Sequence, residues 1–376
     1  MKTSNRLLAI DVLRGLVIVL MALDHVRDFF APTPFNPLDL TLTSPGWFWT
    51  RWITHLCAPT FVLLAGISAF LRSQHQDKWN MARYLLSRGA LLIFLELTWI
   101  NFSWQFSLDS LFLQVIWALG VAMMVMAALQ CLPRPVILLV AAALLLPHNL
   151  LDSLHRPDAT AMFKLWHQGG WIPLGDQFGI FVLYPLMPWV GLMAVGYCLG
   201  PLLLQPPARR QQTLLLISAL LMLSFIALRS GNWYGDPDPW SPQAGGWLMS
   251  LMSFVDIHKY PPSLLYLCVT LSISLALLAL MDKYVKQEVP LLSLFGSHPL
   301  FFYCVHVMLI HVLGAIMMQL LFDQQINFDD RRLGVPSTYH PSLVRCYLAW
   351  VFIMTLMYGI THRWVAYLKE SGRIPY

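Results

Sequence analysis

Residues 11–25 read DVLRGLVIVLMALDH, and the reading of this stretch decides the fold. An apolar run from Leu16 to Leu23 is fenced by Asp11 and Arg14 on one side and by Asp24 and His25 on the other. Composition says where such a run must sit. The chain has 376 residues, of which 57% are hydrophobic and only 11% charged, and its mean hydropathy is +0.61. Soluble proteins carry about 25% charged residues, and a domain of this size still needs a polar surface. The expectation is an all-α, polytopic membrane protein. The leading MKTSNR resembles the start of a signal peptide, but the apolar run lacks a small-residue cleavage site and ends in Asp-His-Val-Arg-Asp. It reads as a retained first transmembrane helix.

A helix needs about 20 mostly apolar residues to cross the hydrocarbon core. Ten segments qualify: 8–26, 52–71, 84–103, 108–130, 134–150, 178–200, 213–230, 262–281, 292–321 and 345–366. The ninth begins beside Pro290 and Pro299, which predicts irregular or tilted first turns. With the N-terminus inside, the cytoplasmic loops are short and basic. The outer loops 27–51, 151–177, 231–261 and 322–344 are long and hold Pro, Gly, Asp and Trp. The bias places both termini in the cytoplasm. No internal repeat, low-complexity tract or linker appears, so one membrane domain is expected over 1–376.

Net charge is +5, but the basic residues lie in separate short loops and form no run that would track a phosphate backbone. A nucleic-acid partner is not expected. The six cysteines are scattered singly without a CxxC pair, and HExxH is absent, so no metal is expected. GxGxxG, GxxxxGK[ST] and GxSxG are also absent, which argues against phosphate binding through a glycine loop.

Ionisable groups at membrane depth are costly, and each is a functional hypothesis by default. Asp11, Arg14 and His25 are spaced three and eleven residues apart, close to whole helical turns, so they share one stripe. Arg14 and His25 stand about 16 Å apart along the axis. The stripe must face protein or a wet cavity. It can be a snorkelling pair with an interfacial histidine, or a path with a cation low down and a titratable base above it. Asp24 falls about 100° away and pairs best with Arg27.

His55 opens the second span near the outer edge, where it can converge with His25. Glu96 lies deep in the third span and needs a partner, with Arg88 or Asn101 as candidates. The ninth segment supplies His298, His306 and His311, of which His306 is mid-span. Arg83 and Arg88, with Arg72 and Lys78, form a cytoplasmic cluster suited to nucleotide phosphates, although topology alone also explains it.

DVLRGLVIVLMALDH resembles the opening helix of the transmembrane acyltransferase superfamily. That group includes the heparan-α-glucosaminide N-acetyltransferases and the acyltransferase-3 family of O-acyltransferases. Arg14 and His25, with ten residues between them, match the acyltransferase-3 pattern, while the Ala-Ile-Asp-x-x-Arg-Gly opening is closer to the heparan type and its bacterial relatives. PTFVLLAGISAFL (59–71), YPLMPWVGLMAVGYCLG (184–200) and GSHPLFFYCVH (296–306) resemble later helices of the same group. Two departures stand out. The heparan-type enzymes have Asn where His25 stands and keep a catalytic His in the first outer loop, yet loop 27–51 contains no His. His55 stands where relatives usually carry Asp.

The resemblance implies transfer of an acetyl group from cytoplasmic acetyl-CoA to an amine or hydroxyl of an extracytoplasmic, sugar-containing acceptor. It further implies a homodimer in a bacterial plasma membrane. On this reading His25, with His55 sharing the role and Asp11 orienting Arg14, is catalytic. Arg14, Arg83 and Arg88 hold the acyl-CoA, and Asp24, Glu96 and His306 face the acceptor. N- versus O-transfer stays open, as does ping-pong versus ternary-complex transfer. Two rival readings use the same residues: a small-solute transporter or channel along the polar stripe, and a haem or metal site on His25, His55, His298, His306 and His311.

Overall fold

A computed structural model describes residues 8–176, 178–322 and 339–373. Part of the expected loop 322–344, and the residues before Leu8, therefore lie outside the described residues. The chain is overwhelmingly helical. Its elements run α1 (Leu8–Phe30), α2 (Pro45–Trp52), α3 (Cys57–Ser73), α4 (Lys78–Leu95), α5 (Asn101–Gln105), β1 (Ser110–Leu113), α6 (Val115–Leu129) and α7 (Arg134–Leu145). They continue through α8 (Ala161–Phe163), β2 (Gly170–Pro173), β3 (Gly179–Val182), α9 (Leu186–Leu199), α10 (Pro207–Ser230), α11 (Trp247–Val255) and α12 (Leu264–Tyr284). The last are α13 (Pro290–Ser297), α14 (Pro299–Phe322) and α15 (Leu343–Glu370).

Among the described residues, eight helical segments are long and apolar enough to cross a membrane. Two of the ten expected spans drop out for separate physical reasons. α1 has the length, 23 residues or about 35 Å, but it carries Asp11, Arg14, Asp24, Arg27 and Asp28. The expected span 108–130 is shortened because Ser110–Leu113 is a strand and the helix starts only at Val115. Asn101 enforces this start: Phe112 N–H donates to Asn101 Oδ1 at 2.7 Å, and Asn101 Nδ2 donates to the Phe112 carbonyl at 3.1 Å. Gly179–Val182 likewise pairs as a strand before α9 begins.

Two compact units form. The first comprises residues up to Cys57, the short piece Ser103–Gln105, and everything from Met281 onward. α1 is its centre and packs against α13, α14 and α15. Asp11 in its first turn and Arg27 in its last complement the helix dipole, and Pro32 and Pro34 follow its end, where they cannot continue it. The ninth expected span is broken: His298 leaves helical geometry between α13 and α14, because the residue before Pro299 is pushed out of the α region.

Neighbouring helices are tied to the α1 backbone by side chains. Trp350 Nε1–H donates to the Val19 carbonyl at 2.9 Å, Arg345 Nε–H to that of Phe30 at 2.8 Å, and Cys57 Sγ to that of Val17 at 3.3 Å. α1 and α13 also cross backbone to backbone. A Cβ on Gly296 would overlap the Asp11 carbonyl oxygen, and one on Gly15 would overlap that of Leu292.

The second unit spans Ala58–Phe102 and Phe106–Leu280. Small residues again set its crossings, with Gly66 against Gly196 and Gly89 against Gly120. Hydroxyls bridge its helices: Ser218 Oγ donates to the Ser272 carbonyl and Ser272 Oγ to that of Ser218, each at 2.8 Å. Thr60 and Ser274 hydroxyls meet at 2.6 Å. A three-stranded sheet, ordered β1-β3-β2, sits outside the spans. β1 runs parallel to β3 with Leu111 opposite Ile180, and β2 runs antiparallel with Ile172 opposite Ile180. Leu215, Leu216, Leu220 and Leu223 of α10 are exposed, as lipid-facing positions require.

The backbone crossing of α1 and α13 predicts that Gly296→Ala lowers the thermal unfolding midpoint in detergent, at a cost of about 1–3 kcal/mol or more. Gly359 in α15 has open space at its Cβ position, so Gly359→Ala should leave the midpoint unchanged or raise it. Equal midpoints for the two variants would contradict the close crossing.

Candidate active site along the first helix

The stripe expected on α1 exists, and both its ends are occupied. At the N-terminal end Arg14 Nη1 donates to Asp11 Oδ1 at 3.3 Å and to the Gly296 carbonyl at 3.0 Å. Asp11 is buried and Arg14 partly so. The carbonyl is presented where α13 ends, just before the break at His298, so the Pro299 break is what leaves an acceptor for the guanidinium.

At the other end His25 Nδ1 lies 2.8 Å from His306 Nε2, and the two rings stack with centroids 5.0 Å apart. His306 is fully buried. Its Nδ1 sits 2.9 Å from the carbonyls of both Phe302 and Tyr303. Carbonyls only accept, so Nδ1 carries a proton. In the neutral imidazole Nε2 is then the acceptor, and His25 Nδ1–H is the donor. In that tautomer the basic nitrogen of His25 is Nε2. Trp104 packs edge-on to His25 with centroids 4.8 Å apart, and Tyr303 packs at 6.5 Å. Further from Arg14, His311 Nδ1–H donates to the Ser103 carbonyl at 2.9 Å, and Phe29 bridges Trp104 and His311.

Asp24 pairs with Arg27 as its spacing predicts, Oδ1 accepting from Nη2 at 2.9 Å. Its other oxygen takes a short hydrogen bond from Arg51, and Arg27 also pairs with Asp28 at 2.9 Å. Each Asp24 oxygen thus accepts from an arginine. His306 binds His25 through one ring nitrogen and the backbone through the other. His55 is fully buried on a 3₁₀ turn, Ile53–Leu56, with Trp52 at 6.3 Å. Among these histidines it is His306 that hydrogen-bonds to His25.

Glu96 belongs to the second unit, and its partner corrects the expectation. Its Oε2 accepts from the Trp117 backbone N–H at 3.0 Å, so the carboxylate caps the first turn of α6. The Asn101 amide donates to the Glu96 backbone carbonyl at 2.6 Å, and Arg88 is exposed. Arg83 and Arg88 are exposed on α4, and Arg72 stacks on Tyr84 at 3.9 Å. Trp104, Tyr303 and Arg51 were not singled out by sequence. Arg51 had a signal, a basic residue at the outer edge of a span facing an acidic one, whereas the aromatic contacts had none.

One known family matches: the heparan-alpha-glucosaminide N-acetyltransferase catalytic domain, over residues 6–232. No curated protein gives a match. The matched region holds all of α1, and with it Asp11, Arg14, Asp24 and His25. It covers more than half of the chain, and the apolar helices embed the protein in a membrane. The chain belongs to the heparan-alpha-glucosaminide N-acetyltransferase catalytic family and is a membrane acyltransferase.

Proposed function

We propose that the protein moves an acetyl group from acetyl-CoA on the cytoplasmic side to an amine or hydroxyl of a sugar-containing acceptor on the other side. His25 is the base. The observation that carries this reading is the 2.8 Å His25–His306 hydrogen bond, with His306 anchored on two carbonyls. It leaves His25 Nε2 as the proton-accepting nitrogen, held in one orientation by stacking and by Trp104.

In the step proposed, His25 Nε2 takes the acceptor's proton while the acceptor's nitrogen or oxygen attacks the thioester carbonyl. The C–S bond breaks and CoA leaves as thiolate, which a proton then neutralises. A positioned base of this kind contributes about 10²–10⁴-fold. Arg14, some 16 Å along the helix from His25, supplies a fixed cation for the donor, held by Asp11 and Gly296. His306 is a positioning residue, because it reaches the reaction only through His25. The short basic loops support an orientation with both termini in the cytoplasm, and the family likeness supports a bacterial plasma membrane.

Purified protein should release CoA from acetyl-CoA when a hexosamine acceptor is present. His25→Ala should lower kcat at least 10²-fold with little change in the KM for acetyl-CoA. Equal turnover by the variant would remove His25 from the mechanism. His306→Gln keeps an acceptor near His25 Nδ1 and should retain more activity than His306→Phe; both should change kcat and not KM. Arg14→Gln should act in the opposite way, raising the KM for acetyl-CoA. A purely structural Arg14 would instead lower the thermal midpoint with KM unchanged.

A further inference from the structure

The second unit contains a histidine cluster that acyl transfer does not use. Asp152 and His155 lie at the end of a 3₁₀ turn, His148–Leu154, and His167 lies on a single π-helical turn, Lys164–Gln168. One ligand atom from each of Asp152, His155 and His167 falls within 4.8 Å of the other two. His155 Nε2 is 3.0 Å from His167 Nδ1. Asp152 Oδ1 is 3.7 Å from His155 Nε2 and 3.9 Å from His167 Nε2. In a tetrahedral site with bonds of about 2.0–2.1 Å, neighbouring ligand atoms stand roughly 3.4 Å apart. With His167 Nε2 as its one donor atom, the spacings from Asp152 Oδ1, 3.7 and 3.9 Å, lie slightly above that value.

Two of the inward-facing atoms are buried without a hydrogen-bond partner. Asp152 Oδ1 and His167 Nε2 have none, and His167 is fully buried. A buried carboxylate oxygen and a buried ring nitrogen without hydrogen bonds are costly, and a cation between them would satisfy both. The surroundings hold the three residues in place. Asn149 Nδ2 donates to Asp152 Oδ2 at 2.8 Å, while Asn149 Oδ1 accepts from Leu264 N–H at 2.9 Å. The Gln168 side chain clamps the Arg156 backbone through both its polar atoms, at 3.1 and 2.8 Å. Lys164 Nζ donates to the carbonyls of Pro157 and Trp171, each at 2.9 Å. An outer layer that orients ligands in this way is what metal sites use.

We infer that Asp152, His155 and His167 bind one divalent transition-metal ion, zinc by the two-imidazole, one-carboxylate donor set. Three protein ligands leave a fourth position for water or an incoming group. His155 also lines a cavity of about 330 Å³ together with Gly169, His258 and Tyr260.

The test uses full-length, untagged protein in detergent, stripped with a chelator and titrated with Zn²⁺ and, separately, Co²⁺. The expected result is one tightly held equivalent. Bound Co²⁺ should show the visible absorption of a four-coordinate ion, and X-ray absorption of the zinc form should show two imidazole nitrogens. His167→Ala and Asp152→Asn should weaken binding at least tenfold, and Asn149→Ala about tenfold through loss of carboxylate orientation. His75→Ala, an exposed histidine elsewhere, should bind like the unaltered chain. Absence of stoichiometric binding to the unaltered protein overturns the assignment, whatever the variants do. So does a site whose affinity survives His167→Ala.

Discussion

A charged side chain packed inside an apolar helix bundle needs a protein partner, and α1 carries five charged residues among its 23. The first unit is arranged around that constraint. Asp11 and Arg14 satisfy each other and a backbone carbonyl that the α13–α14 break exposes. Asp24, Arg27, Asp28 and Arg51 form an ion-pair chain at the other end. Between them the helix is apolar and lies directly against its neighbours, with Gly15 and Gly296 letting two backbones touch. A helix so charged cannot be a passive anchor. Its polar ends must be partnered by protein, and those partners are what turn a span into a site.

The same constraint separates what was legible in the sequence from what was not. The helical character followed from composition and the length of apolar runs, both local properties. Individual span limits failed where a distant or sideways hydrogen bond took over. Asn101 holds Phe112 in a strand that the apolar run 108–130 gave no hint of. Pro299 was visible as a disturbance, yet its consequence, a free carbonyl for Arg14, needed the fold. The charge on α1 that excludes it from a simple hydropathy reading is the same feature that first drew it out.

For the site, spacing along one helix was informative and spacing between helices was not. The 3.6-residue period placed Asp11, Arg14 and His25 on one stripe and sent Asp24 to Arg27. It could not say that His25 would meet His306, 281 residues later. In the fold His306, Asp24 and Glu96 each hold a protein partner: His25, two arginines and the Trp117 N–H. The cluster at Asp152, His155 and His167 went unnoticed because its ligands sit on irregular turns, where no period exists to align them.

The proposed mechanism needs a base, set by His306, and a cation on one helix, so that donor and acceptor meet from opposite sides. The most direct measurement seals acetyl-CoA, labelled in the acetyl group, inside proteoliposomes and supplies glucosamine outside. The account predicts labelled N-acetylglucosamine or O-acetylglucosamine in the outer medium while acetyl-CoA and CoA stay within. Thioester cleavage with all of the label retained in the lumen, or no cleavage at all, would contradict it.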